Sequence, residues 1–142
     1  MKQEEKNILL AKADGWRLRW QNRGGGDLFD EKPDGHAWQV WTPPQKWWDT
    51  LAGKTAIRTG DFSICAPPNY FEDLNAVHEL EELVWIDRYR YDYNNNLDRV
   101  VGATPVKGHE SKVGPWFYEG TKARRATAAE RAEAIGKTLK LW

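Results

Sequence analysis

The chain has one cysteine, one methionine and no surplus of charge of either sign. A lone thiol, Cys65, cannot close an internal disulfide, which suits a reducing cytosol. The 21 Lys and Arg balance 21 Asp and Glu, so the non-specific pull of a basic chain toward nucleic acid or a membrane surface is not expected. No apolar run approaches the roughly 20 residues that cross a bilayer. The opening MKQEEKNILLAKADGW has neither the apolar core nor the small-residue cleavage site of a secretory signal. A single cytosolic domain over residues 1–142 is the expectation, because one core typically spans about 100 to 200 residues.

Aromatic residues are plentiful. Nine Trp, five Tyr and four Phe are more than a small core needs when each ring buries about 150 to 250 Å². The surplus either lines half-exposed sheet faces or walls a pocket that stacks flat ligands.

Residues 4–13 combine helix formers with Ile8, Leu9 and Leu10, and Asp14-Gly15 is a helix stop. From Trp16 to Gln21 the pattern alternates, with Trp16, Leu18 and Trp20 against Arg17, Arg19 and Gln21, the period of a half-buried strand. Residues 22–35, rich in Gly, Asp and Pro, read as a loop with little to bury. His36 to Thr42 is a second strand ended by Pro43 and Pro44, forming a hairpin with the first. Short strands are expected at Thr55–Thr59 and Phe62–Ala66.

After Pro67 and Pro68, Asn69 and Glu72 have the spacing of a capping box, which predicts a helix over Asn69–Val84. Its apolar face carries Tyr70, Leu74, Val77 and Val84. Glu81, about 20° from Tyr70 at the helical pitch, interrupts that face. A carboxylate there needs a partner; His78 lies within i,i+3 reach, and an arginine from the sheet could complete the group. Alternation of Tyr89, Tyr91 and Tyr93 with Arg88, Arg90 and Asp92 predicts a strand from Ile86, ended by Asn94–Asn96. A loop over Gly102–Gly114 and a strand at Trp116–Tyr118 follow. The closing helix begins with the capping box Thr127–Glu130, places Ala128, Ala132, Ile135, Leu139 and Trp142 at helical spacing, and offers Glu133 and Lys137 as an i,i+4 pair. The fold class expected is α+β, a layered α/β/α-type sandwich whose mostly antiparallel sheet is flanked by helices.

Motifs for chemistry are sparse. Ala52-Gly-Lys-Thr55 is no phosphate loop, because the glycine required five positions before Gly53 is Trp48. His36, His78 and His109 lie on different elements without local metal spacing, so neither a metal nor a cofactor is expected. His36 reads as a rim residue, His109 as solvated, and Cys65 as a small buried hydrophobe.

PPNYFEDLNAVHELEE, ATAAERAEAIGKTLKLW and AKADGW together resemble the phage ABA-sandwich domain family, small proteins encoded by tailed bacteriophages and prophages. The resemblance implies an α/β/α-type sandwich, phage or prophage origin and action in the host bacterial cytoplasm, with no established reaction. On its pattern Asp73, Asn75, His78 and Glu81 are the recurring polar positions.

The expected function is therefore a non-enzymatic phage accessory protein that sequesters a small, flat, anionic ligand, with nucleotide-derived signals of host antiviral defence as the natural class. Trp16, Trp38, Trp41 and Tyr70 would supply rings, Arg19 and Arg88 cations, and Asp73, Asn75, His78 and Glu81 polar contacts. A protein-interaction module using an aromatic patch, and a small hydrolase using His78 and Glu81 as acid and base, are the alternatives. Homo-oligomerisation is compatible with each.

Overall fold

The computed structural model describes residues 1–22, 26–102 and 125–142. The fold is α+β, with five α-helices and a three-stranded antiparallel sheet among the described residues. The chain divides into two compact units, one of Ala11–Pro68 and one of Met1–Leu10 with Asn69–Trp142. The expected loop at 102–114, the strand at 116–118 and His109 lie outside the described residues, apart from Gly102 itself.

Helix α1 (Gln3–Ala13) ends where Asp14-Gly15 predicts, with Gly15 at φ +103°. Beyond it, β1 (Arg17–Asn22) is the central strand, flanked by β2 (Leu28–Phe29) and β3 (Ala37–Thr42), both antiparallel to it. The hairpin partner was legible, but β2 was not, because two residues inside a Gly- and Asp-rich stretch carry no periodicity.

The register sorts the faces. Arg19 lies opposite Val40 and Gln21 opposite Trp38, whereas Leu18 faces Trp41 and Trp20 faces Gln39. Val40 and Gln21 are buried while Leu18 is exposed, so the better-covered face is the one that the alternation assigned to solvent. Gln21 is the reason. Its side chain donates to the carbonyls of Gly26 (3.2 Å) and Gly60 (2.5 Å) and accepts from the Phe62 amide (3.2 Å), satisfying a fully buried amide.

A 3-10 turn over Gln45–Trp47 leads into α2 (Leu51–Thr59). The strand expected at Thr55–Thr59 is therefore helix: Thr50 caps it, accepting from the Gly53 amide, and Gly60 closes it in the left-handed region. The strand expected at Phe62–Ala66 is irregular chain. Gly53 must be glycine, since a Cβ there would sit 2.4 Å from the Trp47 carbonyl.

In the other unit the helix expected from Asn69 begins later. Asn69 instead forms a turn, accepting the Phe71 amide on its side chain, and Asp73 is the N-cap of α3 (Leu74–Leu80), accepting from Ala76. A 3-10 turn over Glu81–Leu83 follows. Tyr70, Val77, Leu80 and Val84 are buried, but Leu74 is exposed because it opens the helix rather than continuing an earlier turn. The strand expected from Ile86 is α4 (Asp87–Val100), with Tyr93 and Leu97 buried at i,i+4 spacing. Short-range alternation of Arg and Tyr concealed that helical period. Helix α5 (Ala128–Thr138) starts with the full capping box of Thr127 and Glu130 and packs against α4.

Helix α5 ends at Thr138, and the Trp142 ring folds back over Gly136, where a Cβ would lie 2.0 Å from it. Glu133 accepts from Trp142 Nε1 (3.0 Å) and binds Lys6 (2.9 Å), which is where its charge is spent.

Candidate functional site

Three groupings gather the chemistry-bearing residues. The first is polar and buried. Glu81, 3% exposed, accepts at Oε1 from His78 Nδ1 (2.7 Å) and at Oε2 from the Tyr93 hydroxyl (2.5 Å). Arg131 Nη1 donates to both oxygens, at 3.3 and 3.1 Å, and its Nε holds the Ala126 carbonyl. The helical wheel placed Glu81 and His78 correctly. The arginine comes from α5, not from the sheet, because the stretch read as a strand is helical and 50 residues separate Arg131 from Glu81. Burial raises the Tyr93 pKa far above its usual range, with the Glu81 charge acting in the same direction. The phenol therefore stays protonated and donates.

With both oxygens committed to Arg131, Tyr93 and His78, Glu81 ties α3, α4 and α5 together. It has no uncommitted oxygen to serve as a base. Only the imidazole reaches outward, its side chain 49% exposed.

The second grouping is a concavity of ≈360 Å³ in the unit of Ala11–Pro68, bounded by Lys32, Gly35, His36 and Trp38. Trp38 opens β3 with 41% of its surface exposed, and His36 is exposed just before it. The Lys32 ammonium lies 5.6 Å from the Trp20 ring centre, which keeps this flexible cation near the sheet. His36 is thus the rim residue that its sequence position suggested. Lys32 was missed, because its stretch was read as a loop with little to bury.

The third grouping is a half-open, mostly apolar cavity of ≈190 Å³ in the same unit, walled in part by Trp16 and Trp47. Those rings lie 5.9 Å apart at 51°. Trp16 is only 4% exposed. Cys65 lines this cavity, and burial, reinforced by the charge of Asp61, raises its thiol pKa.

The remaining residues picked from the sequence are more scattered. Arg19 Nε is 3.3 Å from Asp30, and Trp41 is half-buried opposite Leu18. Tyr70 is fully buried with its amide donating to Asn7 Oδ1 (2.8 Å), Asp73 is spent as a cap, and Asn75 is exposed. Arg88 and Arg90 stand on α4 instead of a strand, Arg88 5.2 Å from the Tyr89 ring. Trp16, Arg19, Trp38 and Trp41 belong to one unit, and Tyr70, Asp73, Asn75, His78, Glu81 and Arg88 to the other.

Among the described residues, no group of three or more His, Cys, Asp or Glu is placed to hold a metal ion, and no helix is long and apolar enough to cross a membrane. Comparison with protein-family models, curated proteins and solved structures found no match.

Proposed function

We propose that the chain binds and sequesters a small, flat, anionic molecule that stacks on Trp38 and meets Lys32 and His36 with its negative groups. The observation that carries this reading is a half-exposed indole bordering one concavity with two basic side chains. Exposed indole faces attract planar rings, each base stack contributing about 1–3 kcal/mol, and a nearby ammonium and imidazole supply donors to phosphate or carboxylate oxygens.

A volume of ≈360 Å³ is at the low end of small-molecule sites, about 300 to 1,000 Å³. That size suits a mononucleotide better than a dinucleotide. The resemblance to phage proteins makes nucleotide signals of host defence the class to try first. Binding without turnover is favoured over hydrolysis because the Glu81 carboxylate, which hydrolysis would need alongside His78, is consumed by its three partners.

Calorimetry with AMP, ADP-ribose and cyclic dinucleotides tests the proposal. Binding should weaken with added salt and fall about ten-fold or more in Trp38→Ala. Absence of heat with all three ligand types, or unchanged affinity in Trp38→Ala, removes it.

A protein-interaction role would draw on the exposed Trp48, Leu51, Ile57 and Ile64 of the same unit, because a contiguous exposed apolar patch marks a contact site. Substituting Leu51 with Asp would then abolish partner capture while leaving nucleotide binding intact.

A further inference from the structure

We infer that the cavity walled by Trp16 and Trp47 is a second binding site, for a neutral single-ring molecule bearing a carbonyl or ring-nitrogen acceptor. It does not depend on the Trp38 site. The starting point is an imbalance of hydrogen-bonding groups. Both Trp16 Nε1 and Trp47 Nε1 are buried and have no acceptor, although a buried indole N–H ordinarily finds one. Among the described residues, the two buried indole N–H groups without a partner belong to two of the residues that wall the cavity.

The other polar side chains at its wall, Thr50 and Cys65, are already engaged. Thr50 Oγ1 donates to the Trp47 carbonyl (2.7 Å) and accepts from the Gly53 amide (3.1 Å). The Cys65 thiol lies 3.9 Å from the Ala52 carbonyl. The side-chain capacity left unspent is the two indole donors, so an occupant that satisfies them must bring acceptors.

Charge and size narrow the occupant further. No charged side chain lines the cavity, and an ion entering a mostly apolar pocket would lose part of its hydration without a counter-charge. The ligand is therefore neutral, unlike the anion proposed at Trp38. A cavity of about 150 Å³ lined by apolar side chains admits benzene, so ≈190 Å³ accommodates one substituted ring and excludes a nucleotide. Ala52 and Gly53, from the first turn of α2, form part of the wall, where the helix dipole favours the negative end of a carbonyl.

Benzamide and toluene are suitable probes, matched in ring but differing in the acceptor. In spectra of the full chain with ¹⁵N-labelled tryptophan, benzamide should shift two indole N–H signals saturably. Trp16→Phe and Trp47→Phe identify them by removing each in turn, and toluene should bind at least roughly ten-fold more weakly, the discrimination expected when a buried polar group is left unpaired. Benzamide should also slow iodoacetamide alkylation of Cys65 in the unaltered chain, a readout that survives if either Phe variant fails to fold. Equal binding of toluene, a shift confined to other indoles, or unprotected Cys65 at saturating benzamide each overturns the inference.

Discussion

The Arg131 guanidinium donates to both carboxylate oxygens of Glu81, at 3.1 and 3.3 Å. The pair joins α5 to the turn that follows α3. Breaking one side of a buried ion pair strands the other charge, which costs about 3–5 kcal/mol. Arg131→Leu should lower the unfolding free energy by about that amount in urea titrations, with Glu81→Gln losing less because an amide still pairs with Tyr93 and Arg131. His78→Ala, at the exposed rim of the group, should cost no more than about 1 kcal/mol. A large loss from His78→Ala with little from Arg131→Leu would refute this arrangement.

Gln21 predicts a second effect, in the other unit. Replacing it with Leu keeps the volume but strips partners from the Phe62 amide and from the Gly26 and Gly60 carbonyls. The Gly60 carbonyl keeps the Gly26 amide (3.3 Å) and Gly26 is exposed, so the loss centres on the half-buried Phe62 amide, and an unpaired buried group costs about 1–3 kcal/mol. Gln21→Leu should therefore destabilise the protein by about that amount, despite being the more apolar residue, as read by the midpoint of thermal unfolding; a stabilised variant would contradict this role of Gln21.

Asp98 gives a pH dependence. Burial pushes its pKa from 3.8 up to about 6, so the folded chain holds this proton more tightly than the unfolded chain does. The associated stability is fully present below about pH 3.8, declines as pH rises through the interval, and is gone above about pH 6. Asp98→Asn removes the titration. The stability of the variant relative to the parent should thus rise between about pH 4 and 6 and then level off, and parallel curves across that window would rule out the shift.

Gly136 gives a packing prediction. A methyl group at this position would collide with the Trp142 ring. Gly136→Ala should expel Trp142, break its bond to Glu133 and cost about 1–3 kcal/mol, although alanine is the better helix former by about 1 kcal/mol. Truncating Trp142 to Ala in the same chain should make Gly136→Ala neutral or stabilising, a coupling that a double-mutant cycle measures.

The parts legible in the sequence were those set by neighbours along the chain. The α1 stop at Gly15, the Thr127–Glu130 capping box and the His78–Glu81 pair each rest on groups a few residues apart, and β1 and β3 were read from the alternation within each strand. Errors arose where two local patterns competed. Arg88 to Tyr93 alternates like a strand, yet burying Tyr93 and Leu97 on one helical face outweighed the alternation. In β1, a polar Gln21 with three partners occupies the covered side, which no hydrophobic pattern can reveal.

By itself the sequence determined where the backbone could cap and turn, and that Glu81 would need a partner wherever it was buried. Only tertiary structure decided that the partner is Arg131, that Trp16 and Trp47 line one cavity, and that Lys32 and His36 border Trp38. Local preference follows from a few torsions and nearby hydrogen bonds, whereas these pairings join residues far apart in the chain through the packing of elements whose side chains have no local signal of one another.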